Sequence, residues 1–115
     1  MTRARLALGA AGEDRAAAWY RAHGYEVLAR NWRCREGEID LICARSRTVV
    51  VCEVKTRTSL AFGHPAEAVT PAKQRRIRQL AAQWLATAAP FRPSEVRFDV
   101  AAGLPDSLEV IHDAF

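Results

Sequence analysis

The spacing of apolar residues along the chain predicts two helices. In residues 10–23, AAGEDRAAAWYRAH, apolar side chains recur at helical spacing, and Gly24 is a typical stop signal after them. A second helix is predicted at 71–88, because Thr70 and Pro71 form an N-cap and first-turn pair and an apolar stripe follows. The two helices are far apart in the chain, so other elements must lie between them.

Segments rich in β-branched and aromatic residues predict the strands. The segments at 37–45 and 48–57 are expected to form a hairpin around Ser46 and Arg47. Residues 58–69 are too irregular for a helix or strand. The last two segments supply one or two closing strands. The order is α-β-β-β-α-β(-β) in one domain spanning 1–115, with strands expected at 25–33, 37–45, 48–57, 96–102 and 107–115.

The hairpin has a predicted register. If Ser46 and Arg47 form a two-residue turn, Asp40 lies directly opposite Glu53 on one side of the sheet. Glu38 and Lys55 face each other on the same side. The other side is expected to be an unbroken apolar surface, with three pairs: Ile39 with Val54, Leu41 with Cys52, and Cys43 with Val50.

The facing carboxylates predict a metal site. Two like charges directly opposite each other destabilise a sheet unless they protonate, separate or bind a cation. Mg²⁺ or Mn²⁺ is the natural partner, because such an ion takes one or two carboxylates and completes its shell with water and substrate phosphate. Asp40, Glu53 and Lys55, with the carbonyl of Val54 as a further ligand, suit phosphodiester hydrolysis. A register shifted by two residues would instead pair Asp40 with Lys55 in a plain salt bridge.

Charges on the two helices favour the site over the salt bridge. Glu13 and Lys73 each lie in an early turn of an apolar stripe that should face the sheet. The other polar side chains near this region have two possible interpretations: they contact a nucleic acid, or they are solvated surface residues without such a role. The residues that we expect to contact nucleic acid are Asn31, Arg33, Arg57, His64, Lys73 and Arg76.

Composition is compatible with a polyanionic partner but does not require one. There are 17 Lys and Arg against 13 Asp and Glu, and 15 of the 17 are Arg, which grips phosphate through a planar fork. High-GC codon usage would give the same richness in Arg and Ala. The three cysteines show no zinc-type spacing, and no signal peptide or membrane span is recognisable. A cytoplasmic protein that does not enter membranes is expected.

Several segments resemble a known group of proteins. Asp40 followed by Glu53-Val54-Lys55, within GEID and EVK, resembles the PD-(D/E)xK motif of restriction-endonuclease-like nucleases. A helix carrying a Glu before this hairpin is similar to the archaeal Holliday junction resolvases. The chain more closely resembles the small bacterial YraN-like family, through Lys73 and the segments GEDRAAAWY, GYEVLARNWR, GEIDLI, EVKTR, FGHPAEAV and DAF.

The resemblance implies a three-layer α/β fold, with a mixed central sheet of four or five strands flanked by helices. It implies that Asp40 and Glu53 are metal ligands, that Glu13 is the helical carboxylate of the site, that Lys55 is the catalytic lysine, and that the partner is a nucleic acid. The Pro that precedes the Asp in the motif is absent, since Ile39 occupies that position.

These observations lead to one main hypothesis and two alternatives. The main hypothesis is a metal-dependent endonuclease that acts on DNA, with branched or otherwise structured DNA expected from the resemblance. The first alternative is a catalytically silent nuclease-like module that binds DNA or RNA. The second is a structural adaptor whose charges form internal salt bridges. A homodimer is compatible with the sequence, but no interface can be read from it.

Overall fold

The computed structural model describes residues 3–61 and 63–115, and it describes side-chain surroundings from residue 8 onward. No helix in this part of the chain is long and apolar enough to cross a membrane. The elements in chain order are α1 (Arg3–Ala22), β1 (Glu26–Cys34), β2 (Gly37–Arg45), β3 (Thr48–Thr56), a short 3₁₀ helix (Pro65–Ala68), α2 (Pro71–Thr87), β4 (Glu95–Leu104) and β5 (Ser107–Ile111).

The five strands form one mixed sheet in the order β1-β2-β3-β4-β5. β3 and β4 are parallel and the other neighbouring pairs are antiparallel. The parallel pair needs a long crossover connection, which α2 provides. The structure therefore confirms a mixed α/β architecture with five strands and two flanking helices.

Alternation along β3 separates two hydrophobic cores. Val49 and Val51 pack in a cluster with residues of α2 such as Leu80, whereas Val50 packs in a second cluster with residues of α1 such as Tyr20. Successive side chains of a strand point to opposite faces of the sheet. The helices therefore cover opposite faces, and both can reach the ends of β2 and β3.

Three features differ from those predicted. α1 begins near residue 3 rather than at residue 10, because the preceding residues are mostly good helix formers. The stretch predicted to lack an element contains the 3₁₀ helix, which Pro65 opens and His64 caps by accepting the Ala66 N–H. The closing region forms two strands, one of the two predicted possibilities, and the second strand ends at Ile111 rather than at residue 115. Thr70 and Pro71 start α2 as predicted, with the Thr70 hydroxyl accepting the Lys73 N–H.

Gly12 allows α1 to approach β3 closely. A Cβ at this position would overlap the Cγ2 methyl of Thr56 and would lie 3.6 Å from Cγ1 of Val54. The next residue, Glu13, is thereby held over the same end of β3. Glycine at position 12 thus sets the height of the acidic side chain above the sheet.

A buried polar network fixes the other end of α1. The Asp99 side chain is completely buried, and it accepts the Tyr20 hydroxyl at 2.6 Å and the Arg97 Nε–H at 2.9 Å. His112 Nδ1 lies 2.8 Å from the same carboxylate, and the Asp113 N–H donates to it at 3.1 Å. Burial opposes ionisation, but hydrogen bonds from Arg97 and Tyr20 hold the pKa of Asp99 below its usual value. The network ties α1 to β4 and to the C-terminal segment.

Candidate functional site

The β2–β3 hairpin has the predicted register. Arg45 pairs with Thr48, and the ladder continues regularly to Leu41 opposite Cys52. Ser46 in the turn has a φ of 54°, as two-residue hairpin turns require. The shifted register that would place Asp40 opposite Lys55 is therefore absent from the structure.

The regular ladder stops at Asp40. Its carboxylate Oδ2 accepts the backbone N–H of Val54 at 2.9 Å, in place of a carbonyl of β2. The N–H and C=O of one strand residue point to the same side of the strand, so the Val54 carbonyl also faces the gap beside Asp40. The two strands thus separate where the predicted metal ligands lie.

Side-chain alternation also breaks at this point, which corrects the expectation for Ile39. That residue was expected to face Val54 on an unbroken apolar surface, but it packs with Ile42 in the α2-side core. Two residues three apart share a face only if the strand is locally irregular. Asn31 of β1 lies opposite Asp40, because its two chain neighbours pair with the two chain neighbours of Asp40, and its φ is 52°. The irregularity in β1 and β2 frees Asp40 from the ladder.

A pocket of about 540 Å³ opens at the separated strand ends. We call it the acidic pocket. It brings together seven of the residues predicted from the sequence, from α1, β1, β2 and β3, and it adds Glu38, which had no assigned role. The charged and polar lining residues are Glu13, Asn31, Arg33, Glu38, Asp40, Glu53, Lys55 and Thr56, and Val54 also lines it.

Burial and mutual repulsion raise the pKa values of its carboxyl groups. Removal from water, followed by the charge of Asp40, raises the pKa of Glu53 from 4.5 to about 7. Burial also raises the pKa of Asp40, although the Val54 hydrogen bond and the Lys55 charge oppose the change. Burial and then Asp40 raise the pKa of Glu13. The three carboxyl groups therefore share an environment that an added positive charge would stabilise.

Lys55 offsets part of this repulsion. Its Nζ lies 3.3 Å from Glu53 Oε1, on the same face of β3. The predicted alternative of an internal salt bridge thus occurs in a different form, with Glu53 rather than Asp40 as the partner. One ammonium beside three carboxyl groups leaves the pocket short of positive charge.

A second, smaller pocket of about 310 Å³ adjoins the first on the α2 side. We call it the basic pocket. It shares Glu38, Glu53 and Lys55 with the acidic pocket. Its additional charged residues, Lys73 and Arg76, come from the first two turns of α2. The charge on the α2 stripe is therefore brought to the hairpin, as expected.

Two predicted nucleic-acid contacts lie outside both pockets. Arg57 follows β3, and its backbone N–H donates to Gly103 O at 2.9 Å. His64 caps the 3₁₀ helix through Nδ1, and its Nε2 lies 3.4 Å from Glu109. Arg33 lines the acidic pocket but is engaged with Glu38 at 2.9 Å. For His64 the structure supplies a structural role.

The donor set suits a hard divalent cation. Within residues 3–61 and 63–115, no three carboxylate, imidazole or thiol side chains are grouped so as to hold a metal by themselves. Mg²⁺ commonly takes only one or two carboxylates and fills its shell with water and phosphate. Asp40, Glu53 and the Val54 carbonyl match that requirement, with Glu13 nearby.

Comparisons with known proteins place the chain in a family. Residues 12–102 match the model of "Uncharacterised protein family UPF0102". A UPF0102 protein of Beutenbergia cavernae is 55% identical over 102 residues, which cover 89% of this chain and 86% of that protein. One from Rhodococcus opacus is 51% identical over 115 residues, covering 96% and 97%. One from Acidothermus cellulolyticus is 49% identical over 108 residues, covering 86% and 82%. This chain, with all the charged residues of its acidic pocket inside the matched region, belongs to the UPF0102 family.

Proposed function

We propose that the protein is a Mg²⁺- or Mn²⁺-dependent endonuclease that hydrolyses phosphodiester bonds in DNA. The observation that carries the proposal is the convergence of Asp40, Glu53 and Lys55 with Glu13 in one pocket at the separated ends of β2 and β3. In this proposal the mixed sheet and its two helices are a restriction-endonuclease-like fold. The resemblance of Asp40 and Glu53-Val54-Lys55 to the PD-(D/E)xK motif supports both the proposed activity and the proposed fold.

Each side chain then has a chemical role. Asp40 and Glu53, with the Val54 carbonyl, would hold the cation, which would polarise the phosphodiester and lower the pKa of the attacking water. Glu13, which lines the same pocket, would accept a hydrogen bond from the attacking water. Lys55, next to Glu53, stabilises the negative charge that develops on the phosphate oxygens. Asn31 lines the same pocket, and its side chain opposes the rise in the pKa of Glu13.

Nucleic acid is the substrate class that the charges favour. The chain carries 17 basic against 13 acidic residues, although the acidic pocket itself concentrates negative charge. Lys73 and Arg76 lie beside the pocket, and Arg57 follows the strand that carries Glu53 and Lys55. A metal cation bound between the pocket carboxylates and a phosphate group would allow these negatively charged groups to lie close together. We favour DNA over RNA, with structured or branched DNA as the preferred form.

The proposal includes a cytoplasmic location. Cys34, Cys43 and Cys52 are free thiols, and the last two are fully buried. Burial raises the pKa of the Cys43 thiol to about 12, so it is kept as an unreactive core residue. Reduced cysteines of this kind are typical of a reducing compartment.

A cleavage assay tests the proposed activity. The purified protein is incubated with linear, flapped, branched and single-stranded DNA, in Mg²⁺, in Mn²⁺ and in EDTA. Metal-dependent cleavage by the wild type, together with its loss in Asp40→Asn purified in the same way, supports the proposal. Cleavage that is equal in the two proteins would contradict the assignment of Asp40 to the catalytic metal site. Tight binding with no cleavage of any substrate would favour the alternative of a catalytically silent binding module.

A further inference from the structure

The basic side chains of the two pockets differ in whether they form ion pairs within the protein. In the acidic pocket Arg33 is paired with Glu38 at 2.9 Å, and Lys55 is paired with Glu53 at 3.3 Å. In the basic pocket Lys73 and Arg76 make no ion pair within 4 Å to any residue that the structure describes. These two cations are therefore available to an anion that comes from outside the protein.

Lys73 and Arg76 are also well placed to act together. They are three residues apart on α2, so their side chains lie on neighbouring positions of one helix face. Ile77 and Leu80, which line the same pocket, are buried in the α2-side core and anchor the helix against the sheet. A site on an anchored helix is more precise than one on a loop. An arginine and a lysine at this spacing suit a phosphate group.

We infer that Lys73 and Arg76 form a subsite for the phosphate next to the scissile phosphate, on one side of it, in a polynucleotide strand. The inference rests on the proposed function, since the scissile phosphate is placed at Asp40 and Glu53. The two pockets share Glu38, Glu53 and Lys55, so a strand that enters one continues directly into the other. The basic pocket, at about 310 Å³, is at the lower end of the range for small-ligand sites and admits about one nucleotide unit.

The subsite predicts an asymmetry in cleavage. A single-stranded oligodeoxynucleotide is synthesised with one neutral methylphosphonate linkage, and cleavage at the bonds on either side is measured in Mn²⁺. Cleavage at only one of these two bonds should be about tenfold slower. When that bond is at the metal site, the neutral linkage lies in the subsite, where a phosphate would otherwise bind. Lys73→Met and Arg76→Met should cut more slowly overall and lose the asymmetry.

Arg75→Met is the matched control. Arg75 lies between the two subsite residues on α2, is exposed, and lines neither pocket, so its removal changes the net charge equally. This variant should keep the full asymmetry. If Lys73→Met and Arg76→Met keep the asymmetry as Arg75→Met does, the subsite assignment is wrong.

A binding measurement separates this inference from the proposed function. Affinity for the unmodified oligonucleotide is measured by fluorescence anisotropy in the Asp40→Asn background, where no cleavage is required. Adding Lys73→Met or Arg76→Met should weaken binding about tenfold relative to adding Arg75→Met, and should lower the slope of log K against log salt by about one unit. Equal affinities and slopes for the three would overturn the subsite even if the wild type cleaves DNA.

Discussion

Replacing Asp40 by Asn should stabilise the metal-free protein and destabilise it relative to the wild type when metal is present. Asn is nearly isosteric, and its Oδ1 can still accept the Val54 N–H that Asp40 accepts at 2.9 Å. The substitution therefore removes a buried charge and leaves the hydrogen bond in place. What changes is the repulsion between this residue and Glu53.

The pKa of Glu53 sets the size of the effect. Its rise from 4.5 to about 7 corresponds to a destabilisation of at most about 3 kcal/mol at pH 8. Burial is the largest cause and Asp40 the second. Like charges that face each other across two strands cost up to about 1 kcal/mol, so the substitution should stabilise the metal-free protein by up to about that amount. For a domain of this size, 1 kcal/mol shifts the melting temperature by about 4 °C.

The sign of the pH dependence follows from the same pKa values. The folded pKa of Glu53 lies above its unfolded value, so the folded state retains a proton that the unfolded state has lost. In EDTA the free energy of unfolding of the wild type should therefore fall as pH rises from about 4.5 to about 7. Asp40→Asn should show a smaller fall, because Glu53 then ionises at lower pH.

Metal should reverse the order of stability. An ion present at ten times its dissociation constant stabilises the folded state by about 1.4 kcal/mol. Thermal melts at pH 8 in EDTA and in Mn²⁺ should show Asp40→Asn above the wild type in EDTA and below it in Mn²⁺. An Asp40→Asn protein that melts far below the wild type in EDTA, with no response of either protein to Mn²⁺, would refute the reasoning and make Asp40 a structural residue.

Three further predictions concern residues around the site. Gly12→Ala should lower the free energy of unfolding by about 1–3 kcal/mol, because its Cβ overlaps Thr56. Adding Thr56→Ser, which removes the overlapping methyl, should restore most of this loss. A double variant that is no more stable than Gly12→Ala would contradict the close approach. Lys55→Met should reduce single-turnover cleavage at least about 100-fold while Mn²⁺ affinity, measured by electron paramagnetic resonance, is unchanged or higher; loss of Mn²⁺ binding would mean that Lys55 organises the site. Tyr20→Phe should cost about 1–3 kcal/mol in urea unfolding, because buried Asp99 loses its hydroxyl donor; a neutral effect would show that the network compensates.

Local chemistry predicted most of the elements. The Thr70-Pro71 pair starts α2, and the two-residue turn at Ser46 and Arg47 fixes the hairpin register, because each depends only on neighbouring residues. The same register brought Asp40 and Glu53 to the same end of the hairpin. The stripe position of Glu13 was sufficient to place it in the pocket, since a helix keeps its face along its length.

The remaining features depend on contacts between distant parts of the chain. Asp40 replaces a backbone acceptor of the ladder, and Ile39 moves to the other face, only because β1 and β2 are both irregular at the same level. The partners of Asp99 in the buried network include Tyr20, which is 79 residues away in sequence. The place of Glu38 between two pockets depends on α2. Periodicity along one segment carries no signal for these arrangements.

The most direct test of the metal-dependent nuclease is the single-turnover cleavage rate of the wild type beside Asp40→Asn and Glu53→Gln, on the best DNA substrate in Mn²⁺. All three proteins should be folded and should bind the DNA with similar affinity. We predict cleavage by the wild type that EDTA abolishes, and rates at least about 100-fold lower in both variants. Undiminished cleavage by either folded variant would contradict the assignment of Asp40 and Glu53 as the residues that hold the catalytic metal.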